Sequence, residues 1–184
     1  MSGLVIDATA VLAWCFEDEA GPEADALIEQ VAAEGAAVPG LWSLELANGL
    51  VMGERRGRIT PAQSAAFVAM IEELPIASDP ATGARALHET MSLAREHRLT
   101  AYDAAYLELA MRLGLSLATG DRSLGAAAEL ASPCSTARHN LDPRPCRRSA
   151  RLMRAWAPSR SGGGIDGAAR ALRKEMQRKL SIRA

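Results

Sequence analysis

Four acids in this sequence, Asp7, Glu45, Asp103 and Asp121, have a type and a setting that suit chemistry. Asp7 interrupts the apolar stretch LVIDATAVLAW, where a buried strand should stay uncharged. A carboxylate buried without a partner is costly and normally takes up a proton. Either Asp7 caps the helix that follows, or something cationic meets it there. Asp121, in LATGDRSL, ends a second strand-like run in the same way. Glu45 in LWSLELANGL and Asp103 in LTAYDAAYLELA fall in the first turns of helical stretches. Singly, each has a plain explanation as a helix cap or as a first-turn acid favoured by the helix dipole. Gathered at one edge of one sheet, the four would repel strongly unless a cation neutralised them. No His or Cys joins them, so all-oxygen ligation favours Mg²⁺ or Mn²⁺ over zinc.

Strands alternating with helices must bring these acids together. Residues 3–7 read as a first strand. Pro22 opens a helix through EADALIEQVAAEG, with Ala24, Leu27, Ile28 and Val31 on one face and Gly35 as its stop. AAVP is a short strand. SLELANGLVMGERRG then reads as a helix with Ser43 as a possible cap and Leu46, Leu50 and Val51 at apolar spacing. In TPAQSAAFVAMIEEL, Thr60 is the N-cap and Pro61 the first helical residue, and Pro75 ends the element. IAS is a brief strand and residues 81–97 a helix. TAYDAAYLELAMRLG is a clear helix, capped by Thr100, with Tyr106, Leu109 and Leu113 along a face and Gly114 as stop. LSLAT and DRSLGAAAELA supply the last strand and helix. The alternation predicts an α/β fold whose parallel sheet is covered on both faces. Sites in such sheets lie beyond the carboxyl ends of the strands, where Asp7 and Asp121 both fall.

Other uses of a strand-end aspartate fail on specific residues. A phosphoacceptor receiver needs a lysine near its acids, and both lysines, Lys174 and Lys179, lie far along the chain. A phosphate-binding G-K-[ST] loop is absent. A dehalogenase-type D-x-D fails because Thr9 holds the second position, and His88, His97 and His139 are too scattered for H-E-x-x-H. Cys134, His139 and Cys146 fit no zinc spacing, and with Cys15 the three cysteines form no C-x-x-C pair, so neither a zinc site nor a disulfide framework is expected.

The 184 residues, 48% hydrophobic and 23% charged, suit one soluble domain with an appendage. No apolar run reaches the roughly 18 residues of a membrane span, and the start lacks the basic residues of a signal peptide, so a cytoplasmic location with no membrane contact is expected. The net charge of −1 conceals a division: residues 133–184 hold 13 Lys and Arg against 3 Asp and Glu, and residues 1–132 hold 8 against 19. The expected organisation is a domain over 1–131, a Pro-, Ser-, Arg- and Gly-rich linker over 132–164, and a basic amphipathic helix over 165–184 with Leu172, Met176 and Leu180 on its apolar face.

LVIDATAVLAW, LWSLELANGL, LTAYDAAYLELA and LATGDRSL, in this order and spacing, resemble the PIN-domain ribonucleases, above all the VapC-type toxins of bacterial toxin–antitoxin pairs. The resemblance covers about residues 3–130. It implies a three-layer α/β/α sandwich with a parallel sheet, here followed by a basic C-terminal tail. It also implies metal-dependent hydrolysis of RNA by Asp7, Glu45, Asp103 and Asp121, leaving 5′-phosphate and 3′-hydroxyl ends. Thr9 and Thr119 match the small hydroxyl positions beside the first and last acids, and Asn48 the polar position one turn after Glu45. Arg55, Arg56, Arg58 and Arg122 are candidates for phosphate contact, although ERRGR also reads as a solvated helix end. The implied partners are RNA, a cognate antitoxin and a second copy in a homodimer. Family members commonly close with one more short strand, which ELASPCSTARHN does not offer; the stretch after it would also suit a shifted reading frame. Two other readings remain open at this level: a PIN-like protein that binds without cutting, and a toxin blocked by its own tail.

Overall fold

The computed structural model describes residues 3–16 and 22–131. The expected linker over 132–164 and basic helix over 165–184 lie outside the described residues.

The four strands β1 (Leu4–Ile6), β2 (Ala36–Pro39), β3 (Ile76–Asp79) and β4 (Ser116–Ala118) form one sheet in the order β3-β2-β1-β4. Every pairing is parallel: Leu4 stands opposite Ala36 on one side and Ser116 on the other, and Ala36 opposite Ile76. Leu4, Val5 and Ile6 point alternately to the two faces of the sheet, yet all three are buried, so both faces are covered. This is the expected layered α/β arrangement. The chain builds outward from β1 through β2 to β3, then returns to add β4 on the other flank of β1. Connections therefore diverge at the carboxyl ends of β1 and β4, and such a reversal opens a crevice.

The helices are α1 (Ala8–Leu12), α2 (Pro22–Glu34), α3 (Trp42–Arg55), α4 (Pro61–Glu72), α5 (Thr82–Arg85), α6 (Met91–His97), α7 (Ala101–Leu113) and α8 (Arg122–Ala131). Most punctuation read from the sequence holds. Thr60 caps α4 in a full capping box with Gln63, and Thr100 caps α7 through the Asp103 N–H. Gly35 and Gly114 adopt the left-handed conformation that ends α2 and α7.

Three details differ. α3 begins at Trp42 with Leu41 at its cap position, so Ser43 lies inside the first turn and caps nothing. Its buried stripe is Trp42, Leu46, Leu50 and Gly53; Val51, rotated about 100° from Leu50, is 42% exposed. The helix over 81–97 starts at Thr82 and is interrupted by a π-helical turn, Ala86–Thr90, which adds a residue to the helical repeat.

Two close contacts matter for the site. A Cβ on Gly49 would lie 2.3 Å from Leu12 Cδ1, and one on Gly53 would lie 2.8 Å from Phe16 Cε1. Glycine at these two positions lets α1 and the residues after it lie against α3. The strand end bearing Asp7 is thereby drawn towards the helix bearing Glu45. α7 covers β1, β2 and β4 from one face, and Ala104 through Ala110 are all buried, so its first turn is held firmly beside the same strand ends.

Candidate active site

Asp7 leaves β1 in extended conformation, its N–H donating to Ala118 O at 2.9 Å to prolong the pairing with β4. Its side chain makes no cap bond to α1, which removes the plain explanation for this acid. Instead Oδ2 accepts the hydroxyl of Thr9 and, at 2.7 Å, that of Thr119. Each threonine is oriented in turn: Thr9 Oγ1 accepts the Gly120 N–H at 3.1 Å, and Thr119 Oγ1 accepts the Asp121 N–H at 3.0 Å. A Cβ on Gly120 would press to 3.2 Å from Thr9 Oγ1, so glycine allows that approach. Both donors converge on one oxygen, and Oδ1 accepts no hydrogen bond among the described residues. Asp7 is only 6% exposed.

Glu45 sits in the first turn of α3, half-buried, and its Oε2 accepts the hydroxyl of Tyr106 from α7. Burial is the largest influence on Glu45 and raises its pKa; the Tyr106 hydrogen bond opposes the rise, while the charges of Asp7 and Asp103 add to it. Three of the four acids therefore share one field. Tyr106 is almost wholly buried, and its hydroxyl is pushed far above the usual phenol range, first by burial and then by Glu45 and Asp7. Asp103, in the first turn of α7, accepts the Thr100 hydroxyl at 2.7 Å.

Asp121 stands at the rim and is exposed. Its Oδ1 accepts the Leu124 N–H at 2.8 Å, capping α8, so the plain reading of this acid holds. It joins the group through its backbone, by way of Thr119 and Asp7.

The remaining candidates divide by distance. Asn48 is exposed one turn beyond Glu45, and Arg122 is exposed beside Asp121. Arg55, Arg56 and Arg58 cluster where α3 ends, roughly 15 Å along the helix axis from Glu45, too far to share its pocket. Arg58 lays its guanidinium 3.8 Å from the centre of the Phe16 ring.

Sequence reasoning placed Tyr106 only on a core face, although its position three residues after Asp103 puts it on the same side of α7. It also passed over Asp79, a further acid at a strand end. The structure pairs Asp79 with Arg112 at 2.7 Å, and Arg112 and Arg85 both meet the buried Glu108.

No ion pair among the described residues involves Asp7, Glu45, Asp103 or Asp121. As the side chains stand, no three acidic, His or Cys groups among the described residues are close enough to cage an ion alone. The donor set nevertheless fits a hard divalent cation that keeps part of its water shell, as Mg²⁺ does. Asp7, Glu45 and Asp103 each have one carboxylate oxygen that accepts no side-chain hydrogen bond among the described residues.

A family model described as the PIN domain matches residues 4–130. Ribonuclease VapC3 of Pyrobaculum aerophilum is 32% identical over 121 residues, spanning 66% of this chain and 91% of that protein. The crystal structure of PAE2754 from Pyrobaculum aerophilum superposes with a TM-score of 0.52 at 28% identity, covering 69% of this chain and 88% of that one.

Proposed function

The chain belongs to the PIN-domain family, and from that premise we propose that it is a metal-dependent endoribonuclease, the toxin component of a toxin–antitoxin pair. The observation that carries the reading is the half-buried Glu45, which feels the charges of Asp7 and Asp103 at the reversal point of a parallel sheet, with no ion pair to any of the three among the described residues. The likeness to a protein named as a ribonuclease supports RNA as the substrate class.

In this reading Asp7, Glu45, Asp103 and Asp121 would together hold Mg²⁺ or Mn²⁺. Bound there, the cation supplies positive charge for the phosphodiester oxygens and makes a neighbouring water more acidic. The chain's own part is orientation. Thr9 and Thr119 fix Asp7, Thr100 fixes Asp103, and the exposed Arg122 beside Asp121 offers a positive contact to an RNA phosphate. Asn48, exposed one turn beyond Glu45, is a candidate supporting residue. A cognate antitoxin and a second copy of the chain are the proposed protein partners. No helix among the described residues is long and apolar enough to cross a membrane.

The test is incubation of the purified full chain with a mixed RNA pool in Mg²⁺, in Mn²⁺ and in excess chelator. Fragments with 5′-phosphate ends in either metal, and intact RNA in chelator, are expected. Intact RNA under all three conditions would contradict the assignment.

A further inference from the structure

We propose that Tyr106 is a positioning residue of the acidic centre: its phenol sets the orientation in which Glu45 faces Asp7, and so controls how well the centre holds a divalent cation. The inference rests on the nuclease reading and adds to it a residue outside the acidic set.

Three observations carry it. The Tyr106 hydroxyl donates to Glu45 Oε2 across two elements far apart in sequence, α7 and α3. The same hydroxyl lies in the field of Asp7. It therefore bonds one of the two carboxylates on which the reading depends and feels the charge of the other. The third is burial: Tyr106 is 1% exposed, on a helix whose neighbouring residues are all buried, so the phenol has a fixed place to donate from.

Glu45, by contrast, is a long and half-exposed side chain, and left alone it would sample several rotamers. One hydrogen bond to Oε2 selects among these and leaves the other oxygen to point at a cation. The threonines perform the same service for Asp7, two donors on Oδ2 leaving Oδ1 available. Each carboxylate thus has one oxygen committed to the protein. Partners of this kind, behind the ligands themselves, typically set metal affinity by about 10- to 100-fold.

The experiment compares the full-length wild type with Tyr106→Phe, using Mn²⁺ as the probe in calorimetric titration and RNA cleavage over a range of Mn²⁺ concentrations. Tyr106→Phe is expected to weaken Mn²⁺ binding about 10-fold. It should lower kcat at limiting Mn²⁺, recover most of it at saturating Mn²⁺, and leave the KM for RNA unchanged. A merely structural tyrosine would lower the melting temperature without moving the Mn²⁺ affinity, and that result would overturn the proposal. Wild type that binds no Mn²⁺ would overturn the nuclease reading and the inference together; wild type and variant binding equally would overturn the inference alone. A second measurement covers a poorly folded variant. The chain has two tyrosines, and Tyr102 is 65% exposed. In Tyr102→Phe protein carrying 3-fluorotyrosine, the single fluorine signal should therefore report Tyr106. Saturating Mg²⁺ should shift that signal, and an unmoved signal would count against the role.

Discussion

Asp7 and Asp79 both stand at the carboxyl end of a parallel strand, and only their surroundings separate them. Asp79 meets Arg112 within a charged group that also holds Glu108 and Arg85, so its charge is balanced by the protein. Asp7 has hydroxyl donors, and two more carboxylates share its field, so its charge is oriented but not balanced. That difference is invisible in sequence, because Arg112 lies 33 residues beyond Asp79 and pairs with it only in the folded sheet. The four candidate acids stand out in the sequence since each occupies a marked place, a strand end or a first helical turn. Tyr106 was harder to see, because an aromatic residue on a buried helix face reads as packing until its hydroxyl finds a partner. The raised pKa of Glu45 has a consequence for stability. Its charged form is disfavoured in the folded state, so above the folded pKa the carboxylate costs stability, and the cost is relieved as pH falls through that value. Glu45→Gln should therefore raise the melting temperature of metal-free protein at neutral pH by a degree or two, the effect of well under about 1 kcal/mol for a half-exposed group. The same change should abolish RNA cleavage. A melting temperature lowered by the substitution would contradict the proposed field around Glu45.

Among the elements, those with a local chemical signal were read closely. Thr60 and Pro61 mark the start of α4, and the structure adds reciprocal bonds with Gln63, Thr60 N–H to Gln63 Oε1 at 2.7 Å and Gln63 N–H to Thr60 Oγ1 at 3.3 Å. α4 packs against α3 and carries none of the acids. Thr60→Ala should therefore cost about 1 kcal/mol and a few degrees of melting temperature while leaving the cleavage rate per folded molecule unchanged. Equal loss of rate and stability would mean that α4 shapes the site after all. Elements without such signals were misread for physical reasons. Nothing local marks the start of α3 at Trp42, where Leu41 has no side chain to cap with. The π-helical turn at Ala86–Thr90 is equally silent, because hydrophobic spacing over one turn cannot reveal a single extra residue. The packing of α1 on α3 is visible as Gly49 and Gly53 only after Leu12 and Phe16 are seen against them.

At the scale of the whole molecule, the alternation of strands and helices was enough for a parallel α/β sheet, but the order β3-β2-β1-β4 was not readable from residue patterns alone. Strand order depends on pairings between distant segments, Leu4 with Ser116 among them, and no single strand of three or four residues encodes its neighbour. That order places the ends of β1 and β4 side by side, and with them Asp7, Thr119 and Asp121. The central claim is that this junction is a metal-dependent ribonuclease centre. The most direct measurement is the RNA cleavage rate of full-length wild type and Asp7→Asn at saturating Mn²⁺, with folding of both checked by thermal melting. Asparagine keeps the shape and the oxygen that accepts Thr9 and Thr119 but removes the charge. Cleavage should fall by at least about 100-fold in a folded variant. A folded Asp7→Asn protein that cuts RNA at the wild-type rate would contradict the claim.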